Sequence, residues 1–400
     1  MRDSGDDDRV HRHDWRVAGG LPLSRARERA VTGEGQPAGR ALEVPVFLPD
    51  ATRAAVRSVS TEDLRSVGVK ALMVNTFHLM RRPGMRVVQR SGGIHRFMGW
   101  DGPIMSDSGG FQVYSLIRQS AEHGVIRQNE VIFREPSTGE KWRLTPERVI
   151  QLQMQLGSDI MICLDDCTGA EAPEAEQEQS VERTIRWARR CKEELERMLG
   201  SGRQSRARPH LFAVVQGGAS EVLRRQCAAA LVSIGFDGYG FGGWPIAPDG
   251  SLLTEQLAAV AESVPADSVR HALGVGRPDH VVAAVALGYN SFDCSLPTRD
   301  ARRNRLYVFL PPYPGAPLRS GESFYRTVYI LDDRYHADFT PIDRGCDCPC
   351  CRVYSRAYLH HLFKVGDATA ERLASLHNLR FYTRLIAALR VESRSVVSDV

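Results

Sequence analysis

No apolar run in this chain approaches the ~20 residues that a membrane-spanning helix requires, so the sequence predicts no membrane span. The first residues are acidic and polar and carry no leader-like apolar segment, which makes the cytoplasm the expected compartment. Charge of one sign is scarce too. Lys+Arg number 52 and Asp+Glu 48, a net charge of +4, so any surface for nucleic acid must be a local patch. The nine cysteines do not form the spaced framework of a disulfide scaffold, because four of them fall between Cys346 and Cys351. The first apolar run, VPVFLPDAT, lacks the glycine fingerprint that a dinucleotide-binding open sheet places after its first strand. With 42% apolar and 25% charged residues, what remains is an ordinary globular chain of one large barrel with additions, or of two or three domains.

What is present is a rhythm. From Val44 onward, short apolar or β-branched runs alternate with longer amphipathic stretches. Eight runs read as strands: Val44–Pro49, Ala71–Thr76, Pro103–Gly110, Asp159–Asp166, Leu211–Gly218, Gly238–Gly243, His271–Gly276 and Ser291–Ser295. Helical patterns lie between them at Thr61–Val67, Pro146–Leu156, Ser180–Leu199, Ala219–Ile234, Leu252–Val264 and Arg277–Leu287. Eight such units predict an α/β fold of the TIM (β/α)8 barrel type, with a doubly wound sheet as the alternative. Val125–Leu144 alternates like a β-hairpin turning at Ser137-Thr138-Gly139 and reads as an insertion. The expected organisation is a polar extension over 1–40, with a hairpin around Trp15-Arg16-Val17, and then the barrel over 41–310. A Pro-rich loop, a zinc-binding subdomain and C-terminal helices (Ser355–Phe363, Ala368–Val391) follow over 311–391, with a strand near Val328–Leu331 and a tail at 392–400.

Chemistry gathers at the strand ends. Asn75, Thr76, Asp107, Ser108, Asp165, Asp166, Gln216, Gly242, Gly243 and Asp293 all end predicted strands, and in a barrel those ends share one mouth. Two carboxylates there, Asp107 and Asp293, suit displacement at a sugar carbon, one attacking and one moving a proton; unrelated strand-end aspartates would look the same. Arg299, Arg302, Arg303 and Arg305 follow Asp293 and would draw phosphates, or equally sit on a solvated loop. Cys346, Cys348 and Cys351, with Cys350 as a substitute, read as thiolates of a structural zinc that needs a fourth ligand; His360, His361 and His377 all lie downstream.

The motifs NTFHLMRRPG (Asn75–Gly84), GGIHRFMGWDGPIMSDSGGFQVYSL (Gly92–Leu116), GSDIMICLDDCT (Gly157–Thr168), LFAVVQGG (Leu211–Gly218), GFDGYGFGG (Gly235–Gly243), LGVGRPDH (Leu273–His280), FDCSLPTR (Phe292–Arg299), CDCPCCRVYSRAYLHHL (Cys346–Leu362) and HNLRFY (His377–Tyr382) are collinear. Together they resemble the tRNA-guanine transglycosylases, most of all the bacterial branch. The resemblance implies a barrel enzyme, a pentosyltransferase that exchanges the wobble guanine in the anticodon loop of tRNA for a 7-deazaguanine base, preQ1, in queuosine biosynthesis. It implies Asp293 as nucleophile at the ribose anomeric carbon, Asp107 as general acid/base and Asn75 orienting that acid. Asp165, Gln216, Gly243, Cys167 and Leu273 would hold the base and Phe111 would stack on it. Arg299, Arg302 and Arg303 would contact the RNA. Cys346, Cys348, Cys351 and His377 would bind one Zn2+ per subunit of a homodimer.

The chain also departs from that pattern. Trp244-Pro245-Ile246-Ala247-Pro248 replaces a small flexible loop and offers no carboxylate at the place expected for the aminomethyl group of preQ1. PDAT stands where PVGT is usual, and DARRNRL carries an extra arginine. These differences motivate a paralogue that inserts preQ0 or another 7-deazaguanine into tRNA or DNA. A non-catalytic zinc-containing RNA-binding subunit is the remaining alternative, which the presence of both acids disfavours.

Overall fold

The computed structural model describes residues 42–134, 139–169, 172–201 and 207–398. The hairpin expected around Trp15 lies outside them. Three strands open the fold: β1 (Val46–Pro49), β2 (Leu72–Asn75) and β3 (Ile104–Asp107). The insertion follows with β4 (Gly124–Ile126), β5 (Val131–Arg134) and β6 (Lys141–Leu144). β5 and β6 are the expected hairpin, and β4 adds a third antiparallel strand. Then come β7 (Ile160–Ile162), β8 (His210–Val215), β9 (Gly238–Phe241), β10 (Val269–Ala272) and β11 (Ser291–Cys294).

The barrel sheet runs β1-β11-β10-β9-β8-β7-β3-β2, with every pair parallel. It closes where Asp50 bridges Met73 and the Ala51 N–H donates to the Met73 carbonyl at 2.7 Å. Each predicted run overlaps a strand, but the strands are shorter than the runs, and β10 starts two residues before the run expected at His271–Gly276 and shares only His271 and Ala272 with it. In Asp159–Asp166 only Ile160–Ile162 is strand, and the chain then leaves the sheet and carries Asp165 into the mouth.

Side-chain alternation divides the core in two. Val46, Leu48, Met73, Met105, Ile160, Ile162, Phe212, Val214 and Val269 fill the barrel interior, with Leu273 against them. The intervening residues, such as Phe47, Leu72, Ala213 and Phe292, pack outward under the helices. Counting two residues beyond the inner layer places Asp50 after Leu48, Asn75 after Met73, Asp107 after Met105 and Gln216 after Val214. The polar mouth is therefore the next layer of the same inward face.

Helix starts follow their caps. The Thr145 side chain accepts the Arg148 N–H ahead of Pro146–Leu156, and Ser60 and Asp63 form a reciprocal capping box. The helix expected from Ser180 begins at Glu174, because its first turns are polar and hide the periodicity although Gln177 and Ser180 are buried.

After the barrel, β12 (Arg305–Phe309) pairs antiparallel with β13 (Tyr325–Tyr329), three residues ahead of the strand expected at Val328. The last helix, Ala368–Ser398, continues through most of the stretch expected as a tail. It packs Phe381 against Phe309, ring centroids 4.2 Å apart, and Tyr382 against Phe47 at 4.5 Å. Arg372 pairs with Asp63 and Arg390 donates to the Pro45 carbonyl at 2.9 Å, so this helix binds the barrel's first segment. Among the described residues no helix is long and apolar enough to cross a membrane.

Candidate functional site

Asp107 ends β3 at the mouth. Its Oδ2 accepts from Asn75 Nδ2 at 2.5 Å and its Oδ1 accepts the N–H groups of Thr76 (3.0 Å) and Gly109 (3.2 Å). Asn75 is itself fixed, because its Oδ1 caps the helix Thr76–Arg81 by accepting the His78 N–H at 2.9 Å. Burial pushes the Asp107 carboxyl up to about 7 against the pull of the Thr76 N–H, and the charges of Asp293 and Asp50 push the same way. A carboxyl poised near neutrality can both give and take a proton.

Asp293 is the penultimate residue of β11 and is half-buried. Its Oδ1 accepts the Gly274 N–H at 3.0 Å and lies 3.2 Å from His271 Nε2. His271 is fully buried on the inner face of β10 and its Nδ1 meets Ser291 Oγ at 2.9 Å. The Gly274 N–H thus fixes one oxygen of the Asp293 carboxylate, while the nearby His271 Nε2 makes no hydrogen bond among the described residues.

The wall opposite is built by β7, β8 and β9. Gln216 Nε2 donates to Asp165 Oδ2 at 2.6 Å, and burial raises the Asp165 carboxyl to about 6. The Gln216 side chain also makes a hydrogen bond with the Cys167 thiol, so one amide ties both groups to the wall. Gly242 is required here by packing, since a Cβ on it would lie 2.5 Å from Gln216 Nε2. Gly243 follows with φ +84°, and its N–H donates no hydrogen bond among the described residues. Cys167 is buried, with Sγ 3.7 Å from the Thr168 carbonyl oxygen. Leu273 caps the apolar interior under the mouth.

Phe111 and Trp244 are both exposed and meet edge-to-face, centroids 5.1 Å apart at 73°. The segment after Trp244 is a tight hairpin: Ile246 bridges Leu252, and the Ala247 and Leu253 N–H groups donate to Ser251 and Pro245 carbonyls, each at 2.9 Å. Asp249, exposed at the tip of this hairpin, accepts the Ser251 N–H at 2.9 Å.

Arg299 and Arg303 are exposed on and after the short helix Leu296–Ala301. Arg302 is half-buried with Nη1 unpartnered among the described residues, in the fields of Arg57, Asp50 and Glu371.

Cys346, Cys348, Cys351 and His377 are all buried, and their ligand atoms lie within 4.8 Å of one another. This Cys3His set fits a tetrahedral metal ion. His377 Nε2 faces the Tyr307 carbonyl at 2.8 Å, which turns Nδ1 toward the thiols, 3.2 Å from Cys351 Sγ. Cys350 is buried outside the set, and His360 is occupied at the Ile330 carbonyl, 2.9 Å away. Next to His377, buried Asn378 donates to the Pro297 and Arg305 carbonyls at 3.0 and 2.9 Å and accepts the Tyr307 N–H at 3.1 Å. The metal unit is thereby tied to the segment just after Asp293.

Three residues at the mouth escaped the sequence reading: Asp50, His271 and Arg224. Asp50 and His271 have a signal in the sequence, since each stands at an inward position of its strand. Arg224 has none, because it reaches the wall from a helix. Asp50 Oδ1 accepts the Thr52 N–H at 2.8 Å, and burial raises its carboxyl above the usual range.

The family model described as Queuine tRNA-ribosyltransferase matches residues 27–393. A protein of that name from Thiobacillus denitrificans is 40% identical over 370 residues, covering 92% of this chain and 93% of its own. Its namesake from Idiomarina loihiensis is 39% identical over 351 residues (87% and 86%), and that from Novosphingobium aromaticivorans 39% over 364 residues (90% and 91%).

Proposed function

From the premise that the chain belongs to the queuine tRNA-ribosyltransferase family, we propose that it exchanges the wobble guanine of tRNA for a 7-deazaguanine base, preQ1, by double displacement. The observation that carries this reading is the pair of inward carboxylates, Asp293 half-open at the mouth and Asp107 enclosed and poised near 7.

In the first displacement an Asp293 oxygen attacks the ribose C1′. The C1′–N9 bond breaks, its electron pair leaves on guanine, and Asp107 supplies the proton that neutralises the departing base. In the second, ionised Asp107 takes the N9 proton of the incoming base, N9 attacks C1′, and the bond to Asp293 breaks. Two inversions give net retention. Asp165 accepts from the amide and amino edge of the base, while Gln216 and the Gly243 N–H donate to its carbonyl. Phe111 stacks on the flipped base, with Trp244 at its edge. Arg299, Arg302 and Arg303 bind phosphates of the anticodon loop. The Cys3His set holds a structural Zn2+, and the chain works as a homodimer in the cytoplasm.

A second reading of the incoming base has its own support. The hairpin after Gly243 is closed by main-chain hydrogen bonds, and its one carboxylate, Asp249, is exposed at the tip with Oδ1 accepting from Ser251. A cationic aminomethyl group finds no evident partner there, which favours the neutral nitrile preQ0.

The test is release of labelled guanine from tRNA in the presence of excess preQ1 or preQ0, with a DNA duplex as a parallel substrate. Wild type should release guanine from tRNA, and Asp293→Ala should release at least about 10⁴-fold less. Release from DNA alone would remove the tRNA reading.

A further inference from the structure

Arg224 is 1% exposed, yet no carboxylate lies within ion-pair reach of it among the described residues. A buried cation without a counter-ion is costly unless something else uses its field. It enters from the first turn of the helix Glu221–Ile234 and lies flat on the Phe241 ring, 3.8 Å from the centroid. Its guanidinium donates only to main-chain carbonyls: Nε to Gly218 at 2.8 Å, Nη1 to Val215 at 3.2 Å and Nη2 to Gly242 at 3.1 Å. The helix comes this close because residue 217 is glycine, since a Cβ there would lie 2.6 Å from the Arg224 nitrogen.

These carbonyls belong to the base-binding wall. The Gly242 carbonyl and the Gly243 N–H are two ends of one peptide group. The Val215 carbonyl shares its peptide with Gln216. A cation on the carbonyl end polarises the peptide and strengthens its N–H as a donor. The free Gly243 N–H is therefore backed by a full positive charge. Burial lowers the Arg224 guanidinium to about 10, so it stays charged at neutral pH.

We propose that Arg224 is a positioning residue for base departure, stabilising negative charge on the leaving guanine through the Gly242–Gly243 peptide. The proposal rests on the base-exchange reading above. When the C1′–N9 bond breaks, the electron pair spreads over the purine to its carbonyl oxygen, and that oxygen faces the polarised N–H. A charge fixed in advance needs no reorganisation as the bond breaks. The interaction is stronger in the transition state than with bound neutral guanine, so it acts on kcat more than on KM.

The experiment compares wild type, Arg224→Gln and Arg224→Lys in guanine release from tRNA. Inhibition by guanine and by 8-azaguanine, whose ring N–H is more acidic, is read at pH 8. The expected result for Arg224→Gln is kcat lower by about 10- to 100-fold, with KM for tRNA within about twofold. The preference of wild type for the more anionic analogue should collapse in this variant and partly return in Arg224→Lys. Equal weakening of both analogues with Lys as poor as Gln, or an unchanged kcat, would overturn the inference. If Arg224→Gln fails to fold, Arg224→Lys against wild type carries the same ratio of analogue affinities. A wild type that releases no guanine would sink the base-exchange reading instead, before any variant is compared.

Discussion

The barrel mouth and the thiol cluster both bury groups that water would hold better, and they meet that cost in opposite ways. At Cys346, Cys348, Cys351 and His377 every ligand atom faces the others within 4.8 Å and no position is left open. At the mouth, Asp50, Asp165 and Asp293 are each held on one carboxylate oxygen by a backbone N–H or an amide, while Asp107 is enclosed and held on both. Asp50, Asp107 and Asp165 respond by moving upward in pKa, chiefly through burial. A closed set stabilises structure. An open set stores unfavourable energy that a substrate can relieve.

Breaking the closed set should have the largest effect. Cys348→Ser, or chelation of a bound metal, should lower the melting temperature by roughly 10 °C or more, because the buried thiols and His377 would lose the ion that holds them together. Differential scanning calorimetry with and without chelator checks this. An unchanged melt would place the metal unit outside the stability of the fold.

The open set should show the reverse sign. Burial pushes the Asp107 carboxyl up to about 7, above the ordinary 3.8 of an aspartate in water. Its contribution is therefore fully favourable below about 3.8 and lost as pH rises through about 7. Asp107→Asn should gain stability relative to wild type between pH 5 and pH 8 by roughly 2–3 kcal/mol, while base exchange collapses. Denaturant titration at the two pH values gives the difference.

The smallest effect sharpens the comparison within the mouth. Asp50→Asn removes one of the like charges that raise Asp107, so the pH midpoint of single-turnover guanine release should fall by less than about one pH unit. No movement would mean that solvent screens Asp50 from Asp107.

The barrel was legible because its strands are short apolar runs whose period of two continues into the functional layer. Leu48, Met73, Met105 and Val214 announce the face, and the polar residue two places on is the mouth. The Cys3His set was legible in its three thiols from spacing alone, and His377 came only from family resemblance, since nothing local separates it from His360 or His361. What the sequence hid are contacts across the fold. Arg224 approaches the wall from a helix, and its partners are carbonyls, which carry no side-chain signature. β4 and the early start of the helix Glu174–Gly200 were hidden for a different reason: their residues are too polar or too few to show a period.

The seam of the barrel also sets a schedule for assembly. β1 finds its full partner only in β11, nearly the whole barrel later in the chain, and meets β2 through one bridge. The helix that braces β1 from outside comes later still and also carries His377. A growing chain therefore holds its first strand without its full partner until the last strand of the barrel has been made. The opening stretch VPVFLP is exposed for that whole interval and is the segment most in need of protection from stray strand pairing during synthesis.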